Sequence, residues 1–410
     1  MPSTSRGLAD GMNSLEVPLV ADPSNAEEDA LTALQGSRED RAGHLRAIFV
    51  AHFHTTTGCV MEWQHPPDVD LGGVELKAFA PGLHRSVEDG VFFRHEGRTC
   101  AARFHRLDVD SDEERHARMR VVGMVGDGLV PLWGHEGALG ELAAAVNRDV
   151  GHFAPLERFY NGALASAPPG APAVDGARAE AVLRLASDLG PRIFVVWKAV
   201  LLRRRVLLHD PGPVRPLCDA TLAAWALGCC DAAAEETHPL APGPNLLHVF
   251  VGDLRALVEA RGGFVACTSD SIFAERPAAW DLFCPRGEAV LVNDASPGAA
   301  DLHQTAADGA RWRRLRRVIG AALDPGAGEA ERRRGASRCL RFFLDMNTEI
   351  CRRRAAGHAG APPASADVRE RDLRAMGIHR GDELFLAALT AANGMVLNVR
   401  RRRCTSNCCC

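Results

Sequence analysis

The sequence predicts an α/β protein of three modules: an antiparallel sheet followed by helices, a central layer of alternating helices and strands, and a helical C-terminal module. Three observations carry this. Apolar, strand-type runs separated by short polar turns fill residues 45–126. After a Pro, Gly and Ala stretch the pattern alternates between helical spacing and short apolar strands. Beyond Thr305 the 3.6-residue period dominates. At 410 residues and 46% hydrophobic, the chain can bury two or three cores, since domains usually run about 100–200 residues each.

Residues 1–44 mix Ser, Asp, Glu and Gly without apolar periodicity, the composition of a disordered leader. "AIFVAHF", the turn "TTTG" and "CVMEW" read as a hairpin. "GVFFRHE" and "RTCAARFHRL" flank Gly97, and "HARMRVVGMV" completes what reads as an antiparallel meander. In "GALGELAAAVNRDV", Leu139, Leu142, Ala143 and Val146 fall at helical spacing, and "FAPLERFYNGAL" continues the helix signal to close a first module at 45–164. Residues 165–176, "ASAPPGAPAVDG", lack large apolar side chains and read as a linker. A second module, 177–293, alternates helix and strand through "LLHVFV", "DLRALVEA", "GFVACT" and "AWDLFC". A third, 294–399, is helical; its clearest amphipath places Leu340, Phe343, Leu344, Asn347 and Ile350 on one side. Residues 400–410 form a basic, Cys-rich tail.

The formal net charge of −4 leaves no overall basic field, so nucleic acid is not an expected partner. Only Lys77 and Lys198 are lysines among 48 basic residues. Arginine is spread over every segment, which reads as coding bias rather than a patch. The first twenty residues lack a basic n-region and a continuous apolar core, so no secretory signal is expected and a cytoplasmic location is. Thirteen cysteines without internal C-x-x-C spacing suit reduced thiols, with Cys229 and Cys230 as core residues.

"RIFVVWKAVLLRRRVLLHDPGPV", residues 192–214, is the most apolar stretch. Its uninterrupted part is far shorter than the roughly 20 residues a membrane span needs. Ile193, Val196, Trp197, Val200 and Leu201 recur at helical spacing, and Phe194, Val195 and Leu202 make the other faces apolar, so the helix is a buried one. Arg203 and Arg204 then sit in its last turn, and "RVLLHD" follows as a buried strand stopped by Pro211, Gly212 and Pro213. Lys198 in such a helix invites a catalytic role through a lowered pKa. The preferred reading is a lysine whose stem packs while its ammonium reaches water. Trp197 reads as core.

"VWKAVLLRRRVLLHDPGPV" resembles the helix and strand at the centre of DENN domains. "AIFVAHFHTTTGCVMEW", "DLGGVELKAFAPGLHR", "DEERHARMRVVGM", "FVACTSDSIFAERPAAWDLF" and "LRAMGIHRGDELFLAALTAANGM" agree in the same order, so the likeness covers about residues 45–400. Residues 285–337 depart from it. The resemblance implies a tripartite DENN-like α/β architecture: an upstream longin-like sheet module, a central α/β module and a downstream helical module. It also implies a guanine nucleotide exchange factor that promotes GDP release from a Rab-type small GTPase in membrane trafficking. The alternative is a DENN-like adaptor that binds a GTPase or trafficking partner without accelerating exchange.

No covalent catalysis, catalytic side chain, cofactor or metal is expected. The chain has no P-loop, no H-E-x-x-H and no G-x-S-x-G. His52 and His54 share a strand face, but two imidazoles make an incomplete zinc site, so they read as exposed or satisfied strand histidines. "DVDSDEER", residues 108–115, lacks the Gly and terminal Glu of an EF-hand and reads as a solvated acidic turn. The tail joins Arg400–Arg403 to Cys404, Cys408, Cys409 and Cys410, the basic-plus-thiol pairing that lipid anchoring and peripheral contact with intracellular membranes would use. Asn407 stands where a C-a-a-X cysteine would be, which disfavours farnesylation. S-acylation and double-Cys prenylation stay open beside the preferred reading, an unstructured tail.

Overall fold

A computed structural model describes residues 44–165, 171–230, 242–356, 366–379, 381–392 and 397–399. The expected leader before residue 44 and the tail at 400–410 lie outside the described residues. The first module holds five strands, β1 (Leu45–His54), β2 (Gly58–His65), β3 (Glu88–His95), β4 (Arg98–Asp108) and β5 (Ala117–Gly126). Its helices are α1 (Val74–Ala78), α2 (Leu129–Trp133), α3 (Glu136–Arg148) and α4 (Ala154–Ala165). Every strand foreseen from alternation is present, but the order is not a simple meander. β1 lies between β5 and β2, both antiparallel to it, while residues 66–87 with α1 carry the chain from β2 to β3 at the far side. Short hairpin turns fix sequential pairing for β1–β2 and β3–β4, and the acidic loop at 109–116 joins β4 to β5; the longer β2–β3 connection leaves β1 free to close against β5. Helix α3 covers β4 and β5, and α4 covers β1. Tyr160 of α4 donates its hydroxyl hydrogen to the Arg46 carbonyl at 2.9 Å.

The second module supplies α5 (Ala171–Leu189), α6 (Ile193–Leu201), β6 (Arg205–His209), α7 (Val214–Ala226), β7 (Asn245–His248), α8 (Leu254–Glu259), β8 (Phe264–Thr268), β9 (Leu282–Pro285) and β10 (Leu291–Val292). Of the stretch read as a linker, residues 171–176 open helix α5. The chain there is Ala-rich, and Pro172 falls in the first turn, where a missing N–H costs nothing. β7, β8, β6 and β9 are mutually parallel, the arrangement expected when helices alternate with strands. β7 also pairs in parallel with β3, so both modules share one ten-stranded sheet, ordered β10-β9-β6-β8-β7-β3-β4-β5-β1-β2.

The residues of α6 are all buried, as its all-round apolarity requires. The helix stops without a glycine. Arg203 itself takes the left-handed conformation (φ 50°), its N–H reaches the Val200 carbonyl at 3.1 Å, and the Arg204 N–H reaches back to Ala199 at 2.9 Å. This is the Schellman pattern with Arg in the usual glycine place. The glycine is needed opposite: a Cβ on Gly263 would lie 1.8 Å from the Arg203 carbonyl oxygen. Arg204 and Arg205 then pair with Asp301 and Asp281, so the seam joins a helix end to a strand with two of its three arginines held by carboxylates.

The third module contains α9 (Ala306–Ile319), α10 (Glu329–Ala356), α11 (Glu370–Ala375) and α12 (Glu383–Ala392). It is not wholly helical, since β11 (Ala366–Val368) and β12 (Leu397–Val399) pair in parallel. The buried stripe of α10 runs through Cys339, Phe342, Phe343, Met346, Asn347 and Ile350, leaving Leu340 and Leu344 only half-buried. The stripe is turned from the expected one because Phe342 and Phe343 both meet Phe194 of α6. Asn347 sits on this apolar face fully satisfied. Its carbonyl accepts the Trp197 indole N–H at 2.9 Å, and its amide donates to the Leu227 and Cys229 carbonyls. Trp197 is core, as its spacing predicts. No helix among the described residues is long and apolar enough to cross a membrane.

Val200 is 2% exposed, with its Cγ1 close against Gly228. Val200→Asp therefore buries an unpartnered carboxylate, and a loss on the order of 4 kcal/mol is expected in urea melts. A cooperative variant of unchanged midpoint would contradict the packing described here.

Candidate functional site

The two modules meet along β3 and α7, and buried charge holds the join. Asp89 at the start of β3 is 4% exposed. Its carboxylate accepts the N–H groups of Val214 at 2.8 Å and Arg215 at 3.0 Å, the first turn of α7. A side chain of one module thus caps a helix of the other, where free N–H groups and the helix dipole favour a negative charge. Pro213 precedes that turn and supplies no cap of its own. Arg215 continues the join. Its guanidinium lies 4.7 Å from the ring centres of both Phe92 and Trp133, bonds Glu136 of α3 (Nη2 to Oε2, 2.7 Å) and pairs with Asp219 one turn along α7. Burial opposes the charge on Arg215, but Glu136 and Asp219 outweigh it and hold the guanidinium firmly protonated. Arg103 of β4 adds a second cation on Glu136 at 3.0 Å.

Two further contacts tie the modules. Lys77 of α1 reaches Asp253, ahead of α8, at 2.8 Å and the Arg94 carbonyl at 3.1 Å. His248, ending β7, accepts the Ser269 N–H at 3.2 Å, and the Ser269 hydroxyl, 2.9 Å from the same ring nitrogen, donates on to the Pro81 carbonyl. Gly82 follows at φ 96°, and a Cβ there would lie 2.4 Å from the Pro211 oxygen, so only glycine permits this approach.

A second buried cluster joins the central and helical modules, and it corrects the reading of Lys198. Lys198 does not reach water; it is 0% exposed. Its ammonium donates to Asp308 Oδ2 at 3.0 Å and to the His303 carbonyl at 3.0 Å. Burial pushes its pKa down and Asp308 pulls it back up. Arg311 bonds both Asp308 and Asp382, donates to the Gly377 carbonyl at 2.6 Å, and lies 5.2 Å from the Trp197 ring centre. Two cations and two carboxylates thus neutralise each other where no water reaches.

The other singled-out residues have local roles. His52 lies 3.5 Å from Glu62, and burial lowers its pKa. The His54 ring accepts the Thr57 N–H at 3.3 Å in the β1–β2 turn. The acidic run 108–115 forms a turn between β4 and β5, with Glu114 held by Arg118 at 2.7 Å. Cys230 is buried and Cys229 half-buried, while burial pushes the Cys100, Cys284 and Cys339 thiols up to about 12. Cys404, Cys408, Cys409 and Cys410 lie outside the described residues. Asp89, Glu136, Arg215 and Asp308 escaped the sequence reading, because each acts through a partner distant in the chain. Val214 and Asp89 are 125 positions apart.

An antiparallel sheet module fused to a parallel α/β module and backed by helices is the tripartite arrangement that DENN proteins share by resemblance. A family model described as DENN domain-containing protein 11 matches residues 48–176 and 177–295. DENN domain-containing protein 11 of Xenopus laevis is 31% identical over 277 residues, covering 62% of this chain and 62%, less than two thirds, of that relative. The proteins of the same name from Danio rerio and Rattus norvegicus are each 27% identical over 85% of this chain, covering 75% and 80% of their own lengths. The chain belongs to the DENN domain-containing protein 11 family. The match of the family model ends at residue 295, within the divergent stretch, which carries Asp308, the partner of Lys198.

Asp89→Ala leaves the first α7 N–H groups buried and unpaired, and should cost about 2 kcal/mol in urea melts. A shift within error would remove the cap from its role. Acid should also weaken the fold well above the carboxylate range. Burial lowers His248 to about 3 and depresses His95, His105, His135 and His209 as well. The unfolded chain binds these protons first, so stability is full above about pH 6.5 and falls as pH drops. His248 alone should contribute a loss on the order of 2 kcal/mol between pH 7 and pH 5, and His248→Asn should flatten the slope by that amount.

Proposed function

We propose that this protein promotes GDP release from a Rab-type small GTPase in membrane trafficking, using a surface to which both sheet-bearing modules contribute. The observation that carries the reading is family membership across both modules, 48–176 and 177–295. An exchange factor breaks no covalent bond. It binds the nucleotide-free GTPase more tightly than the GDP form and, by linkage, weakens GDP to the same degree. That work needs a broad surface, often more than about 2,000 Å² of total buried area, and one rigid enough to pull switch segments from the phosphates and magnesium. A single sheet riveted by Asp89, Arg215 and Lys77 suits that demand, because binding energy is not lost in ordering two loose halves. Leu76 of the first module and Val251 of the second, 62% and 53% exposed, flank the Lys77–Asp253 pair and offer apolar contacts on both sides of the join.

The test is release of mant-GDP from a panel of Rab-type GTPases by the full chain. Faster release from at least one member is expected, with Leu76→Asp and Val251→Asp each weakening it at least about tenfold, as loss of a central apolar contact does. Binding without acceleration would establish a non-catalytic adaptor instead. Neither binding nor release would sink both readings.

A further inference from the structure

Arginine is not evenly dispersed once the chain is folded. Helix α9 carries Arg313, Arg314, Arg316 and Arg317, all exposed, while Leu315 and Ile319 pack inward. Positions 313, 316 and 317 are spaced i, i+3 and i+4, so three guanidinium groups share one helix face. The sole carboxylate of this helix, Asp308, is buried and taken by Lys198 and Arg311. Some surface arginines elsewhere are neutralised, Arg334 by Glu331 at 2.6 Å, Arg374 by Glu370 at 2.7 Å and Arg255 by Glu259 at 2.9 Å. Among the described residues, no carboxylate pairs with Arg313, Arg316 or Arg317. Arg314 points across to α11, donating to the Arg374 carbonyl at 3.4 Å and lying over the Phe342 ring.

Like charges at these spacings repel within the helix. The dipole at the C-terminal turn favours Arg316 and Arg317 but not Arg313. Among the described residues, no carboxylate offsets the charge of the stripe.

We propose that the exposed face of α9 docks the protein on an anionic membrane surface, the arginines meeting lipid phosphates. Charge complementarity selects an anionic partner. An exposed basic stripe on a single helix suits a flat anionic lipid interface. Nucleic acid fits less well. The indole of Trp312, the only aromatic on the helix, is half-buried and offers no stacking platform, and the chain as a whole is net negative.

Flotation of the full chain with phosphatidylcholine vesicles, plain or containing phosphatidylserine and phosphatidylinositol 4-phosphate, tests the proposal. Binding to the anionic vesicles alone is expected, weakening as salt rises from 0.1 M towards about 1 M. The variant R313E/R316E/R317E should lose at least about tenfold in binding while keeping its melting midpoint. The milder pair R313A/R317A should lose part of it, which serves if charge reversal disturbs the helix. A control, R333E/R334E on α10, and a tail variant with Arg400–Arg403 changed to Glu should retain the α9-dependent share. Undiminished binding by the α9 variants overturns the assignment. So does equal binding to neutral vesicles, or binding to duplex DNA without binding to vesicles.

Discussion

The architecture depends on one carboxylate. Asp89 stands at the first turn of a helix that belongs to another module, and it satisfies N–H groups that would otherwise be buried without partners. Once α7 is held against β3, its arginine lies against the stacked Phe92 and Trp133 rings and reaches Glu136. β7 can then lie beside β3 in register, Phe93 opposite His248. The dependence is directional: sheet pairing alone gives a sliding contact, whereas a capped helix end is a point contact and fixes register. Two modules that the sequence presents as successive thus become one sheet.

The Lys198–Asp308–Arg311–Asp382 cluster does the corresponding work for the helical module. Burying four charges is expensive, and a hydrophobic filling of equal volume would often be as stable. What the charges add is geometry. Apolar faces such as those of α6 and α10 can pack in several neighbouring registers; a buried ammonium must meet its carboxylate or remain uncompensated. Asn347, clasping Trp197 and two carbonyls at the end of α7, imposes the same restriction with neutral groups.

Local structure was legible in the sequence, and long-range pairing was not. Alternation located β1 to β5 and the apolar runs located β6 to β9, because a half-buried or buried strand has to show that pattern whatever its neighbours. The buried helix at 193–201 was equally clear from its apolar circumference. Lys198 was misplaced for a physical reason: a lone lysine in an apolar helix should reach for water unless a carboxylate is supplied. Its carboxylate comes from a segment 110 positions away that departs from the family pattern. The same limit hid the Asp89 cap. The arginines of α9 were visible but looked like composition; only the burial of Asp308 revealed them as uncompensated. Residues 165–176 read as a linker for want of large apolar side chains; their second half opens a helix, where Pro is welcome in the first turn.

The parallel pairing of β3 with β7 has a consequence for synthesis. β3 gains its first partner at once, since β4 follows after a two-residue turn. Its other edge waits for a strand encoded about 150 residues later; Arg94 and Asn245, which meet there, are 151 positions apart. While the ribosome produces that interval, the emerging sheet module displays an open edge flanked by "GVFF", a sequence well suited to pairing with another chain. Long sequence separation also slows closure. The nascent chain therefore passes through a period of exposure to strand exchange and chaperone capture, which ends only when α7 and β7 have been made and the edge is covered.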